Sequence, residues 1–209
     1  ELVIHDYAAQ AKVVSLPSTV DLTTFRSGNK SNARERFGLL PNKQYIGTAG
    51  GLYKDKGVEV IYQAWEKLKH EMPNVHLVLA GPYQPDYPPP EEERVHYLGS
   101  LAHHEISTLF QALDLGIISI LDTPFGRYCF PQKAYEMLAC DLPVVVANIG
   151  EMSYLFRDSP QVLFQTGNAN DLASKIQQQL QSPQQQSIAV EDWATIIQRI
   201  EPMITALKF

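Results

Sequence analysis

Hydrophobic positions along this chain alternate between two rhythms. Short runs rich in branched and aromatic residues occur at "YIGTAGGL" (45–52), "VHLVLAG" (75–81), "VHYLG" (95–99), "LGIISIL" (115–121), "PVVVAN" (143–148) and "QVLFQ" (161–165). Between them the apolar spacing widens. Val58, Ile61, Trp65, Leu68 and Met72 recur every three or four residues, as do Ile106, Leu109, Phe110 and Leu113, which marks amphipathic helices. "PQKAYEMLAC" (131–140) reads as a further helix. Several of the strands are apolar on both faces, as parallel strands covered by helices on both sides must be. Strand–helix alternation at this spacing predicts an α/β fold with a doubly wound parallel sheet.

Three regions break the alternation. Residues 1–40 hold one strand, "KVVSLP" (12–17), then "STVDLTTF" and a helical "NARERFG", and read as a linker or edge segment leading into the domain at 41–190. "PYQPDYPPPEEE" (82–93) is expected to be an extended, solvated acidic loop. "QQQLQSPQQQ" (177–186) is a polar helix end and loop, interrupted by proline. Residues 191–209 are a C-terminal helix in which Pro202 predicts a kink or two pieces. No internal repeat is visible.

Composition narrows the function. The 209 residues carry a net charge of −6, which argues against nucleic acid as a partner, because that needs a concentrated basic face. Cys129 and Cys140 are too few for a disulfide framework or a cysteine zinc site, so a cytoplasmic location is the default. No apolar run approaches the roughly 20 residues of a spanning helix, and no signal peptide is visible. The chain opens with Glu1, not Met, and its first twenty residues read as the tail of a longer protein.

In an open parallel sheet, ligands bind beyond the carboxyl ends of the strands, where four loops fall. In "GTAGGLYKDKG" (47–57), Gly50 and Gly51 let backbone approach an anion, and Lys54 and Lys56 offer charge; the stretch matches neither a dinucleotide nor a P-loop fingerprint. In "YLGSLAHHE" (97–105), Gly99, Ser100 and Leu101 leave a strand. His103, His104 and Glu105 form a solvent-facing first turn rather than a metal site, since neighbouring histidines on a helix diverge by ~100°. In "PFGRYCFPQKAYEMLAC" (124–140), Pro131 suits the first helical position, Lys133 places a cation at the positive end of the helix dipole, and Glu136 lies three residues further on. A cation and free amides for phosphate, with a carboxylate one turn deeper for a sugar's paired hydroxyls, describe a nucleotide site; on spacing alone a Lys133–Glu136 surface pair explains the stretch equally well. In "ANIGEMSYL" (147–155), Glu151 is placed to cap the next helix or to touch a ligand, with capping favoured, and the segment is expected to line the same crevice.

The order of these pieces resembles the C-terminal, donor-binding lobe of GT-B glycosyltransferases, in particular the retaining family 4 (group 1). The matching stretches are 16–25, 50–57, 75–81, 95–99 and 130–147. The resemblance implies a Rossmann-like sheet forming the C-terminal half of a GT-B architecture, with a missing N-terminal acceptor domain. It implies transfer of a hexosyl unit from a UDP-, GDP- or ADP-sugar with retention, with no cofactor and no metal. Carried over by position, Lys56 would hold the diphosphate, Gly99–Leu101 would meet the base, Pro131–Lys133 would cradle phosphate, and Glu136 would bind the ribose. Two departures stand out. Gly51 occupies the place of a phosphate arginine, for which Arg127, Lys54 and Lys133 are candidate substitutes, and Tyr128 stands eight residues before Glu136, where the family carries its first glutamate. No catalytic residue is assigned. The isolated chain is expected to bind donor and turn over little, and to reach a membrane only peripherally, through the missing domain. The rivals are a GT-B-type sugar-nucleotide epimerase and a degenerate, non-catalytic binding module.

Overall fold

The computed structural model describes residues 19–130, 132–184, 186 and 188–205. Among the described residues one sheet has six strands, β1 (Gln44–Ala49), β2 (Val75–Ala80), β3 (Val95–Tyr97), β4 (Leu115–Ile118), β5 (Val144–Ala147) and β6 (Leu163–Phe164). They lie in the order β3-β2-β1-β4-β5-β6, and every pairing is parallel. Ile46 of β1 sits opposite Leu77 of β2 on one side and Leu115 of β4 on the other, which makes β1 the pivot of the sheet. All of β2, β4 and β5 is buried, as the two-faced apolar runs require.

Parallel neighbours need crossovers, and helices supply them. These are α1 (Lys30–Arg36), α2 (Val58–Glu71), α3 (His103–Ala112), α4 (Pro124–Tyr128), α5 (Gln132–Ala139), α6 (Gly150–Leu155), α7 (Ala169–Gln181) and α8 (Trp193–Thr205). Helices α2 and α7 pack together, while α3 packs against α1 and α5. Right-handed crossovers put these two groups on opposite faces. The stripe foreseen on α2 is its buried face, with Val58, Ile61, Trp65 and Leu68 all covered. Asn29 caps α1, accepting from the Asn32 N–H at 3.0 Å, and Asn168 caps α7.

Strand ends depart from the sequence pattern where the chain finds partners far along it. β4 stops at Ile118, because beyond it the Ser119 hydroxyl donates to the Gly57 carbonyl (3.0 Å) and the Leu121 N–H to the Asp55 carbonyl (3.3 Å). β6 shortens to two residues behind a 3-10 turn at Pro160–Val162. The loop at 82–93 is tied down rather than solvated throughout. Glu92 accepts from the Trp65 indole (3.1 Å) and the Lys69 ammonium (2.8 Å) of α2, and the lysine holds its carboxyl below the usual range.

Distant parts of the chain meet where Val20 bridges in parallel to Asp192 and the Thr19 hydroxyl donates to the Glu191 carbonyl. The strand foreseen at 12–17 lies outside the described residues. Helix α8 runs through Pro202 as one element instead of two; residues beyond a proline keep their own N–H groups and continue the ladder.

Candidate functional site

The chain leaves β1 toward β2 on one side and leaves β4 toward β5 on the other. The carboxyl ends of β1 and β4 therefore flank a crevice, the switch point at which open α/β sheets take ligands. A cleft of about 350 Å³ opens there. Ala49, Gly50 and Gly51 line it from the end of β1, and Ile118, Ser119 and Ile120 from the end of β4. Helix α3 contributes His103, Ile106 and Phe110; Phe125, Cys129 and Phe130 come from α4 and the stretch after it. Helix α5 adds Gln132, Lys133 and Glu136, and α6 adds Met152.

Each cation is placed by a local backbone device. Gly50 has φ +108°, which brings the chain back under the cleft, and the Lys133 amine lies against it. Gly57 (φ +67°) ends the 3-10 turn Lys54–Lys56, and a methyl group at Gly57 would meet the Ser119 hydroxyl at 2.4 Å. That turn delivers the Lys56 ammonium to 3.7 Å above the Phe125 ring.

Lys133 is the second residue of α5, whose first turn carries no acid. Its amine donates to the Thr48 hydroxyl at 3.3 Å. Desolvation, reinforced by the Lys56 charge and opposed by Glu136, pulls its pKa down to about 8. Glu136 stands one turn deeper, its pKa raised by burial against the pull of His103, Lys133 and a Gln132 hydrogen bond. Among the described residues neither Lys56 nor Lys133 has a carboxylate within ion-pair distance. The cleft thus holds two unpaired cations beside a half-buried acid, an arrangement suited to a polyanion carrying hydroxyls.

The fold brings together Gly50, Gly51, Lys56, Lys133 and Glu136 of the residues read from sequence. Gly99, Ser100 and Leu101 do not line the cleft; the Gly99 carbonyl accepts from the Gly81 N–H (2.7 Å) at the far side of β2. Arg127 is also outside, its guanidinium donating to Asp122 at 2.5 Å on the exposed side of α4. Tyr128 is 83% exposed. Pro131 lies outside the described residues. His103 was expected to face solvent; it is exposed, yet it rims the cleft and packs edge-on against Phe25 at 5.0 Å. Glu151 is the acid in the first turn of α6, as expected, without a side-chain capping hydrogen bond there, and α6 lines the cleft through Met152. Sequence reasoning missed His103, Phe125, Cys129 and Phe130 as lining residues. The signal was positional in each case: His103 opens a helix after a strand's carboxyl end, and the other three lie in the 124–140 stretch already placed beyond one.

Residues 43–182 match the family model of glycosyl transferases group 1. The chain belongs to the group 1 glycosyl transferases. Within that family it is 28% identical over 170 residues to a D-inositol 3-phosphate glycosyltransferase of Mycobacterium marinum, a match covering 76% of this chain and 34% of the relative. The corresponding enzyme of Mycobacterium tuberculosis matches at 28% over 163 residues, 72% of this chain and 32% of the relative. The matched segment thus spans about a third of these curated relatives. Anabaena HepE, solved with UDP and glucose, superposes with a TM-score of 0.73 at 24% identity, over 92% of this chain and 56% of that one. The C-terminal domain of a Francisella tularensis group 1 glycosyl transferase superposes at 0.64 and 19% identity, over 78% of this chain and 88% of that domain. The fold is therefore that of the C-terminal domain of a GT-B glycosyl transferase.

No helix among the described residues of this group 1 glycosyl transferase is long and apolar enough to cross a membrane. No three His, Cys, Asp or Glu side chains among them are placed to share a metal.

Proposed function

We propose that this chain is the donor-binding lobe of a retaining hexosyltransferase that uses a nucleoside diphosphate sugar. The observation carrying the reading is the pair of unpaired ammonium groups, Lys56 and Lys133, in the switch-point cleft at the start of α5. In this reading both hold the diphosphate, and Glu136, one turn along α5, takes the ribose hydroxyls. As the bond to the anomeric carbon breaks, charge grows on the departing diphosphate, and fixed cations stabilise it more than they stabilise the intact donor. UDP is the nucleotide present in the HepE structures, which makes it the first donor nucleotide to try here. The acceptor site and the catalytic group belong, in this proposal, to a further lobe of a longer protein, in keeping with the third of the relatives' length that this segment spans.

Titration calorimetry of the chain against UDP, GDP and ADP, with UMP, GMP and AMP as controls, tests the reading. One diphosphate should bind clearly more tightly than its monophosphate. A chain that binds none of the diphosphates has no donor seat.

One observation favours a second reading, a non-catalytic nucleotide-sugar module: Tyr128, at the spacing of the family's first glutamate, points into solvent on α4. Donor turnover by the longer protein containing this segment separates the two.

A further inference from the structure

The Lys56 ammonium is held without a carboxylate. Among the described residues its one close partner is the face of Phe125, 3.7 Å from the ring centroid. Phe125 is an unusual wall for a cleft, since it is 44% exposed and adds little to the core. Its helix, however, is fixed on several sides. The Thr123 hydroxyl caps α4 by accepting from the Gly126 N–H (3.1 Å), and Arg127 pairs with Asp122 across its base. Gly126 sits so tightly against the preceding loop that a Cβ there would fall 2.1 Å from the Leu121 carbonyl oxygen. The Lys54–Lys56 turn packs on this same helix, and the Leu121 N–H reaches back to Asp55 at 3.3 Å. Ring and ammonium are therefore carried by two short segments bound to each other.

Building on the donor-site reading above, we propose that Phe125 is a positioning residue whose ring holds the Lys56 ammonium at the cleft wall, so that a diphosphate meets two pre-placed cations. A free lysine has four rotatable bonds to settle when an anion arrives, and a ring face settles them beforehand without neutralising the charge, as a carboxylate would. That Lys56 depresses the Lys133 titration is a second sign that its charge already reaches the middle of the cleft.

The test is nucleotide affinity by calorimetry for Phe125→Leu and Phe125→Trp, with whichever of UDP, GDP and ADP the wild-type chain binds most tightly. Leucine keeps apolar bulk and removes the π face, so Phe125→Leu should bind about 2- to 5-fold more weakly. Tryptophan offers the better π face and should restore affinity to the wild-type value or above. Both proteins should unfold within a degree or two of wild type, since the ring is largely outside the core. Wild-type affinity in Phe125→Leu overturns the proposal. So does an equal loss in both variants, which would mean that only the shape of the wall matters. A wild-type chain that binds no nucleotide brings down the donor-site reading itself, and this proposal with it.

Discussion

Replacing Lys133 with methionine should make the protein more stable and deprive it of its ligand. The side chains are close in length, so the exchange removes the ammonium and leaves most of the packing in place. In the empty cleft that ammonium is a liability. Burial and the neighbouring Lys56 charge lower its pKa from 10.5 to about 8. At 1.36 kcal/mol per unit the charged form is disfavoured in the folded state by about 3 kcal/mol at neutral pH, less what solvent at the cleft mouth screens. The substitution also strips the Thr48 hydroxyl of its donor, worth about 1 kcal/mol. A net gain of about 2 kcal/mol remains, which for a domain of this size raises the unfolding midpoint by about 4–8 °C.

The sign can be checked through pH. A lysine with a depressed pKa takes up protons more readily when unfolded, so stability rises with pH between about 8 and 10.5, and the penalty is fully present below 8. The difference between wild type and Lys133→Met should accordingly be largest at pH 7 and should shrink by pH 10. Nucleotide affinity should fall by about 10- to 100-fold, the loss of one charge-assisted hydrogen bond. Thermal unfolding at pH 7 and pH 10 and calorimetry with a nucleoside diphosphate read the three quantities. A destabilised Lys133→Met, or one that keeps wild-type affinity, refutes the idea that this amine waits for an anion.

The amino end of the sheet supplies a second pH effect. The Nδ1 of His76 lies 2.9 Å from the Nε2 of His96 with the rings stacked, and burial lowers both pKa values, helped at His76 by His96, Lys43 and Arg94 and opposed by Glu93. The stability held by the neutral pair is complete above the unfolded value of 6.5 and is lost as pH falls below it; urea midpoints from pH 7.5 to 5 should drop, and should drop less in His96→Gln. Arg127→Ala should leave nucleotide affinity within about 2-fold, because the guanidinium is spent on Asp122 outside the cleft. A loss of tenfold or more in the same calorimetric assay would show that Arg127 swings in to the ligand.

How much of this was legible in the sequence follows from which contacts are local. Val144–Ala147 and Val75–Ala80 announce buried parallel strands by themselves, since both faces are apolar. That Lys56, Lys133 and Glu136 line the cleft was legible because loops at carboxyl ends of strands and the first turns of the following helices face the crevice in any sheet of this type. The place of Gly99, Ser100 and Leu101 outside the cleft was not legible, because strand order cannot be read from a single chain. β3 lies two strands away from the switch point, so its loop opens off the cleft, while α3, crossing back over β1 to reach β4, returns His103 to the rim. The outward position of Arg127 was hidden for a different reason. Five residues, Pro124–Tyr128, are too few to show helical periodicity, and the short helix they form turns the arginine outward. The pairing of Phe125 with Lys56 gave no signal, because nothing before folding connects the ring with a lysine on the turn after β1.

The two ends of the sheet treat charge in opposite ways, and the contrast bears on function more than any single residue does. At the amino end Asp114 collects the Lys30 ammonium (2.9 Å), the buried Arg34 guanidinium (2.6 Å) and the Tyr45 N–H (2.7 Å), while Arg94 spends its guanidinium on the carbonyls of Lys69, Met72 and Val75. Lys69 likewise has two glutamates. This chain therefore has the means to neutralise buried or half-buried cations, and it does so with acids and with helix-end carbonyls. At the carboxyl end it does not. Lys56 is left on an aromatic ring and Lys133 on one hydroxyl, with the nearest acid, Glu136, itself pushed toward its neutral form by burial. For stability alone the fold would gain by pairing or deleting Lys133, whose charge burial disfavours. Two cations left without a carboxylate, at the crevice the strand order creates, are what the proposed diphosphate seat requires: the negative group would arrive from outside and not from the protein.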